Sequence, residues 1–399
     1  MKDSPWTLAQ TCSYWRAVAV STPSLWSFVK VDASFGLSPL PMVQTQVQRS
    51  GALTIHFWAC ADMDSTSQVE LFRLLSDHFE RWEELNLCLS RDLVPLMAAL
   101  RGRLPALQRL LLRWNGPESQ TRVDSVQWFD TADSLVDVTA YSEYRYIPVS
   151  LPSQHCITRY DIDASGETHA QLLTLLPNLI EARIKIAFSG TWPTVDDKIT
   201  LLHLQRLYVN FTDSLSELRA PRLEELAFFN TGLHPDRDKL GRGLCAFLNR
   251  SACSLKRLCL GGPLDADWTT RILRQFKTIT ELVFLKTSDL KEHLTMLMAG
   301  ADKTVAPQLL AIHLGFQEVT SDSYRSLYMK TLESRWNAQD CHALRNATVL
   351  LDEEDWMYDP DLEALSDELR KGGLQLSELH GLAAEMHYVG WVYKRHWKC

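Results

Sequence analysis

The chain has 399 residues, room for two or three domains or one long array of repeats, and enough apolar side chains to bury a large core. Its 46% hydrophobic and 23% charged residues are those of an ordinary folded protein, which excludes a collagen, a disordered tail and a membrane bundle. A formal charge of −8 argues against a long nucleic-acid-binding face. No apolar stretch approaches the roughly 18–20 residues that span a bilayer, so neither nucleic acid nor membrane is expected as a partner.

The opening residues Met1–Val18 hold no apolar run between a charged start and a small-residue cleavage site, which predicts an intracellular protein, cytoplasmic or nuclear. The nine cysteines are scattered, without the CxxC pairs of zinc or redox sites. They are expected as reduced thiols, with no metal or other cofactor. Residues Pro5–Trp26 read as one short amphipathic helix with Leu8, Cys12, Trp15 and Ala19 on one face, stopped by Ser21-Thr-Pro23. Ser38-Pro-Leu-Pro41 reads as a loop and Leu53–Phe57 as a strand, so residues 31–78 are expected as a linker and N-terminal cap.

From Trp82 onward the chain repeats one phrase: an apolar residue, two mostly polar ones, an apolar residue, any residue, and another apolar one. Clear copies are Leu107-Gln-Arg-Leu110-Leu-Leu112, Leu204-Gln-Arg-Leu207-Tyr-Val209, Leu223-Glu-Glu-Leu226-Ala-Phe228, Leu255-Lys-Arg-Leu258-Cys-Leu260 and Ile279-Thr-Glu-Leu282-Val-Phe284. Weaker copies begin at Trp82, Leu135, Ile157, Leu179, Leu309 and Leu344. The phrases lie about 26 residues apart on average, inside the roughly 20–29 of leucine-rich repeats. Their alternation is that of a strand with one face buried. Between them Leu93, Leu96, Met97 and Leu100, then Leu172, Leu173, Leu175 and Leu176, then Trp268, Ile272, Leu273 and Phe276, then Leu290, Leu294, Leu297 and Met298 recur at helical spacing.

Strand and helix in alternation at this spacing demand a parallel sheet with crossover helices. Units that cannot bury their own apolar faces must stack. The predicted fold is α/β: a leucine-rich-repeat solenoid, with a curved parallel sheet and outer helices, over residues 79–355. A short helical segment over residues 1–30 precedes it, and a cap and tail over 356–399 close it. In that last part a helix from about Asp361 should end at Lys371-Gly-Gly373, and Leu374-Gln-Leu376 should add a closing strand. The acids Asp352–Asp355, Asp359, Asp361 and Glu363 read as a solvated face or a helix start.

Pro5, Leu8, Cys12, Trp15, Arg16, Ala19, Thr22, Pro23, Leu25 and Trp26 follow the phrase P-x-x-L-x-x-V-C-x-x-W-R-x-x-A-x-x-T-P-x-L-W that ends the F-box of fungal F-box proteins. On these residues the chain resembles that family, with Thr11 standing where an aliphatic residue is usual. Family members carry an irregular leucine-rich domain after the F-box, and a phrase like Phe79-Glu-Arg-Trp82 before the first clear repeat, so the resemblance extends over nearly the whole chain. It implies a substrate receptor of an SCF-type ubiquitin ligase, in which the F-box holds the Skp adaptor and the repeats hold a target protein. About the last helix of the motif is what the sequence supplies here; the leucine-proline phrase and two further helices that open an F-box are missing. The alternative expectation is therefore a leucine-rich interaction scaffold with no ligase recruitment. The bulk of Trp15 and Trp26 favours core anchors for the repeat cap.

No GxSxG, HExxH or GxxxxGK[ST] phrase occurs, and a non-enzymatic protein is expected. Gly241-Arg-Gly243 reads as a loop leading into Leu244, Phe247 and Leu248, and His155-Cys156 as chance neighbours. What a solenoid offers is a broad sheet face. Residues flanking and between the inward leucines would place Tyr141, Asp161, Arg183, Lys185, Arg206, Tyr208, Asn210 and Phe229 on it. Arg183, Arg206 and Tyr208 are expected to be neighbours across two strands, as a site for an acidic or phosphorylated segment of the target.

Overall fold

A computed structural model describes residues 5–35, 39–61, 64–121, 123–142, 144–152, 156–186, 191–194, 197–229, 236–287, 289–298, 304–315, 322–338, 344–351 and 359–394. It is a mixed α/β protein whose described strands are mostly parallel neighbours in chain order. One compact unit is built from the chain up to Asn178, and another from Leu179–Lys185 and most of the chain after Trp192. His155, the acids 352–355 and the end of the tail, 395–399, lie outside the described residues.

The first unit contains α1 (Pro5–Thr11), α2 (Ser13–Val20), β1 (Phe28–Asp32), α3 (Leu40–Arg49), β2 (Leu53–Trp58), α4 (Ser65–Ser76), β3 (Trp82–Leu89), α5 (Val94–Ala98), β4 (Arg109–Trp114), α6 (Pro117–Thr121), β5 (Asp137–Ala140), β6 (Arg159–Asp163) and α7 (Gly166–Thr174). Its strands pair in parallel from β1 to β6. The single N-terminal helix expected from the sequence is instead two. Cys12 has extended backbone, and its Sγ accepts from the Trp15 amide at 3.5 Å, so it caps α2 rather than continuing α1. The break dissolves the expected apolar face: Cys12 and Trp15 are exposed, while Ala9, Ala19 and Trp26 form the buried cluster. Trp26 alone is the anchor. Its Nε1 donates to the Ala19 carbonyl at 2.6 Å, Trp6 meets it edge-on at 5.1 Å, and the Arg49 guanidinium lies 4.6 Å over its ring.

Residues 31–78, expected as linker and cap, carry β2 and its helices into the same strand order, with β1 before them. Of the expected Ser38–Pro41 loop, Ser38 lies outside the described residues, while Leu40 and Pro41 begin α3, where Pro41 sits in the first turn and its missing N–H leaves no helical bond unmade. The Phe79-Glu-Arg-Trp82 phrase ties this helix down. Arg81 donates to the carbonyls of Ser50 (2.7 Å) and Val47 (3.1 Å) at the C-terminal end of α3, and the Trp82 Nε1 donates to Leu75 O at 3.2 Å.

The second unit contains β7 (Glu181–Lys185), β8 (Ile199–Thr200), β9 (Arg206–Val209), α8 (Thr212–Glu217), β10 (Leu218–Arg219), β11 (Glu225–Phe229), α9 (Arg237–Ser251), β12 (Arg257–Gly262), α10 (Ala266–Gln275), β13 (Glu281–Thr287), α11 (Leu290–Leu297), β14 (Ala311–Gly315), α12 (Asp322–Asn337), β15 (Asn346–Leu351), α13 (Pro360–Lys371), β16 (Gln375–His380) and α14 (Gly381–Trp391). Parallel pairing runs β7-β9-β11-β12-β13-β14-β15-β16, with β8 and β10 as a separate short pair. Each phrase here opens on a buried Leu or Ile two residues before its strand, as at Leu204, Leu223, Leu255, Ile279, Leu309 and Leu344. The strands then turn Leu207, Leu226, Leu258, Leu282 and Ile312 inward, and the helices add Leu244, Phe247, Ile272, Leu273 and Leu294 to the buried set. Each such side chain contributes about 1.5–3 kcal/mol on burial.

Gly241 and Gly243 lie inside α9, not in a loop, because Asp236 caps the helix upstream of them by accepting from the Lys239 amide at 3.0 Å. Asp359 caps α13 in the same way, with Asp361 and Glu363 in its first turn, so these acids serve a helix start. Arg335 on α12 is fully buried and donates to the carbonyls of Leu297 (2.9 Å), Val305 (3.0 Å) and Ala306 (2.6 Å), finishing the end of α11 and the turn beyond it.

Candidate partner-binding face

The N-terminal candidates divide by exposure. Trp26 is buried, Pro5 and Leu8 are half-buried, and Cys12, Trp15, Pro23 and Leu25 are exposed. Arg16 folds back to donate from Nε to the Ala9 carbonyl at 2.8 Å, joining α2 to α1.

In the first unit Asp161 is buried in β6 and accepts from the Tyr141 hydroxyl at 3.1 Å, while the Arg113 guanidinium lies 5.1 Å over the Tyr141 ring. These three side chains form a stacked, hydrogen-bonded group on the strand face.

In the second unit parallel register sets Arg206 opposite Glu181 and Tyr208 opposite Arg183. Arg183 and Arg206 therefore do share a face, but their environments differ. Arg206 is exposed and pairs with Glu181 at 3.2 Å, whereas Arg183 is only 8% exposed and stacks 4.4 Å over the Tyr208 ring. Tyr208 and Asn210 are buried, and Lys185 and Phe229 are half-buried. The expectation that both arginines stand in solvent holds for Arg206 and is corrected for Arg183, which is covered.

That cover is the C-terminal segment. Ala384, Tyr388 and Trp391 fall on one side of α14 and, with Val392 and Tyr393, pack against Tyr208, Ala227, Cys259, Val283, Leu285 and Leu350. These strand residues alternate with the inward leucines, so α14 lies on the face opposite the one those leucines occupy. Two backbone features seat it. Gly381, at φ +51, allows the tight reversal from β16 into α14. At Gly315 a Cβ would stand 2.9 Å from the Trp391 ring and 2.5 Å from Leu285, so only glycine leaves the tryptophan its place. Tyr393 adopts φ +55, a left-handed conformation that costs a non-glycine residue energy, and ends the helix with the Lys394 amide bonded to Val389 O at 3.0 Å.

Along the edge of this seat runs a row of alternating charges. Register aligns Glu181, Arg206, Glu225, Arg257 and Glu281 across five strands, with Arg257 bridging Glu225 (3.4 Å) and Glu281 (2.9 Å). The first unit repeats the device with Glu84, Arg109, Asp137 and Arg159, where Arg109 and Glu84 pair at 2.5 Å. Burial works to raise the Glu281 carboxyl, but the hydrogen bond to His313 and the charge of Arg257 outweigh it, leaving the group below its ordinary value.

Sequence reasoning missed both the row and the cover, although both left a signal. The third residue of successive phrases alternates acid and base without a break from Glu84 to Glu281. The middle residue of L-x-L in β11, β12 and β13 is Ala227, Cys259 and Val283, apolar types that a solvated face would not favour. Among the described residues no group of three or more His, Cys, Asp or Glu could hold a metal ion, and no helix is long and apolar enough to cross a membrane. No family model matches the chain, and no curated protein is detectably similar to it.

Proposed function

We propose that the chain is a non-enzymatic, intracellular protein-recognition module, built as a leucine-rich-repeat solenoid and resembling the substrate receptor of an SCF-type ubiquitin ligase. The repeats hold a target protein. The N-terminal helices, as the last part of an F-box, meet the Skp adaptor. The observation that carries this reading is the concentration of exposed apolar side chains on these short helices: Tyr14 (69%), Trp15 (44%), Val20 and Leu25 all face outward beside the buried Trp26. Such grouping at one end differs from the scattered apolar residues of an ordinary surface and suits a protein partner.

The test is co-elution of the purified full chain with purified Skp adaptor on a sizing column, followed by titration. A saturable complex is expected, weakened at least tenfold by Trp15→Ala with Leu25→Ala while the melting temperature stays put, because exposed substitutions change stability little. Absence of any complex removes the ligase link and leaves an interaction scaffold, a reading favoured by the way Trp6 and Trp26 are held under Arg49 of α3.

A further inference from the structure

We propose that the strand face of β9–β15 in the second unit is a binding groove for an aromatic-bearing helical segment, and that residues 381–394 of this chain occupy it as a built-in ligand which a target must displace. The inference rests on the recognition reading above and gives it a closed and an open state. The occupant shows what the groove accepts: a helix with Ala384, Tyr388 and Trp391 on one side, followed by Tyr393 in a left-handed turn. Glycine at 315 and small side chains at 227 and 259 make the depression that these rings fill.

Three features mark the segment as detachable rather than as a layer of the core. The charges beside it are paired among themselves, Arg257 with Glu225 and Glu281, and Arg206 with Glu181, so lifting α14 breaks none of those pairs. An open depression of about 460 Å³ runs beside α14, lined by Arg257, Glu281, His313, Thr348, His387 and Trp391, so that flank of the helix meets solvent and has no packed neighbour. The segment joins the sheet only after the last strand, β16, at Gly381, whose left-handed backbone makes a ready pivot. The far side of α14 carries Leu382 (65% exposed) and Met386 (57%), so neither side of this helix is built to face water alone.

The experiment titrates a fluorescein-labelled synthetic peptide of residues 381–394 into the full chain and into its Trp391→Ala variant, followed by anisotropy. In the unmodified chain the tethered segment competes at a high effective concentration. The variant, its own segment loosened, should therefore bind the peptide at least tenfold more tightly than the unmodified chain, and excess unlabelled peptide should reverse the signal. Equal or absent binding by both, with the variant still melting cooperatively, overturns the proposal. Should the variant fail to fold, hydrogen exchange on the unmodified chain decides. Amides of α14 exchanging at least tenfold faster than those of β12 and β13 support a detachable segment, and equal rates refute it. Neither arm contains adaptor or target, so a negative result leaves adaptor recruitment standing, and a failed adaptor titration leaves this result untouched.

Discussion

His293 on α11 is fully buried, with Nδ1–H donating to the Asp289 carbonyl at 2.8 Å and Nε2 facing the Thr269 hydroxyl at 3.0 Å. A carbonyl can only accept, so this contact fixes the neutral tautomer with Nε2 as acceptor. Burial lowers the imidazole below its ordinary 6.5, against smaller opposing contributions led by the Asp289 carbonyl and carboxylate. The unfolded chain then takes up a proton at higher pH than the folded one. Stability from this group is full above the unfolded value and is lost as pH falls below it. The melting temperature should drop between about pH 7.5 and about pH 5.5, and His293→Gln should flatten that part of the profile. An unchanged slope in the variant would show that the proton is taken up elsewhere.

Strands and helices were legible to different degrees, for physical reasons. Every phrase from Trp82 to Leu344 became a strand, because period-two alternation with an anchoring leucine has one stable outcome in a stacked sheet. Helix α13 and strand β16 also followed from capping and turn chemistry at Asp359–Gly373. The N-terminal break at Cys12 was not legible, since a cysteine cap competes with helix continuation only through one weak Sγ contact. Of the candidate site, the pairing of Arg183 with Tyr208 followed from register, but their burial depended on α14, which folds over strands far from it in sequence. The alternating row specifies strand order, because a swapped strand would set like charges side by side. Arg257→Glu should therefore cost about 1–3 kcal/mol in a denaturant titration, since it places three half-buried acids in line. Arg257→Met, which removes the charge and keeps the stem, should cost less; an equal loss for both would assign the effect to packing.

At the scale of the molecule, the strand face proposed for recognition lies in the second unit under a cover supplied by the same chain. On that proposal a partner would gain access by offering aromatic groups that match Tyr388, Trp391 and Tyr393, or by drawing the segment away at Gly381. Cys259 reports directly on that cover. Its thiol lies beneath α14, 2% exposed, and burial pushes its pKa up to about 12, so it is inert while the segment is seated. Exposed Cys12 supplies an internal standard in the same chain. The measurement is the rate of N-ethylmaleimide modification of the full chain, mapped by peptide mass, as temperature rises toward the melting point and with helix content followed in parallel. Modification of Cys259 well before any loss of helix signal is the predicted result, since the segment opens while the strands stay paired. Modification of Cys259 only in step with global unfolding would contradict it.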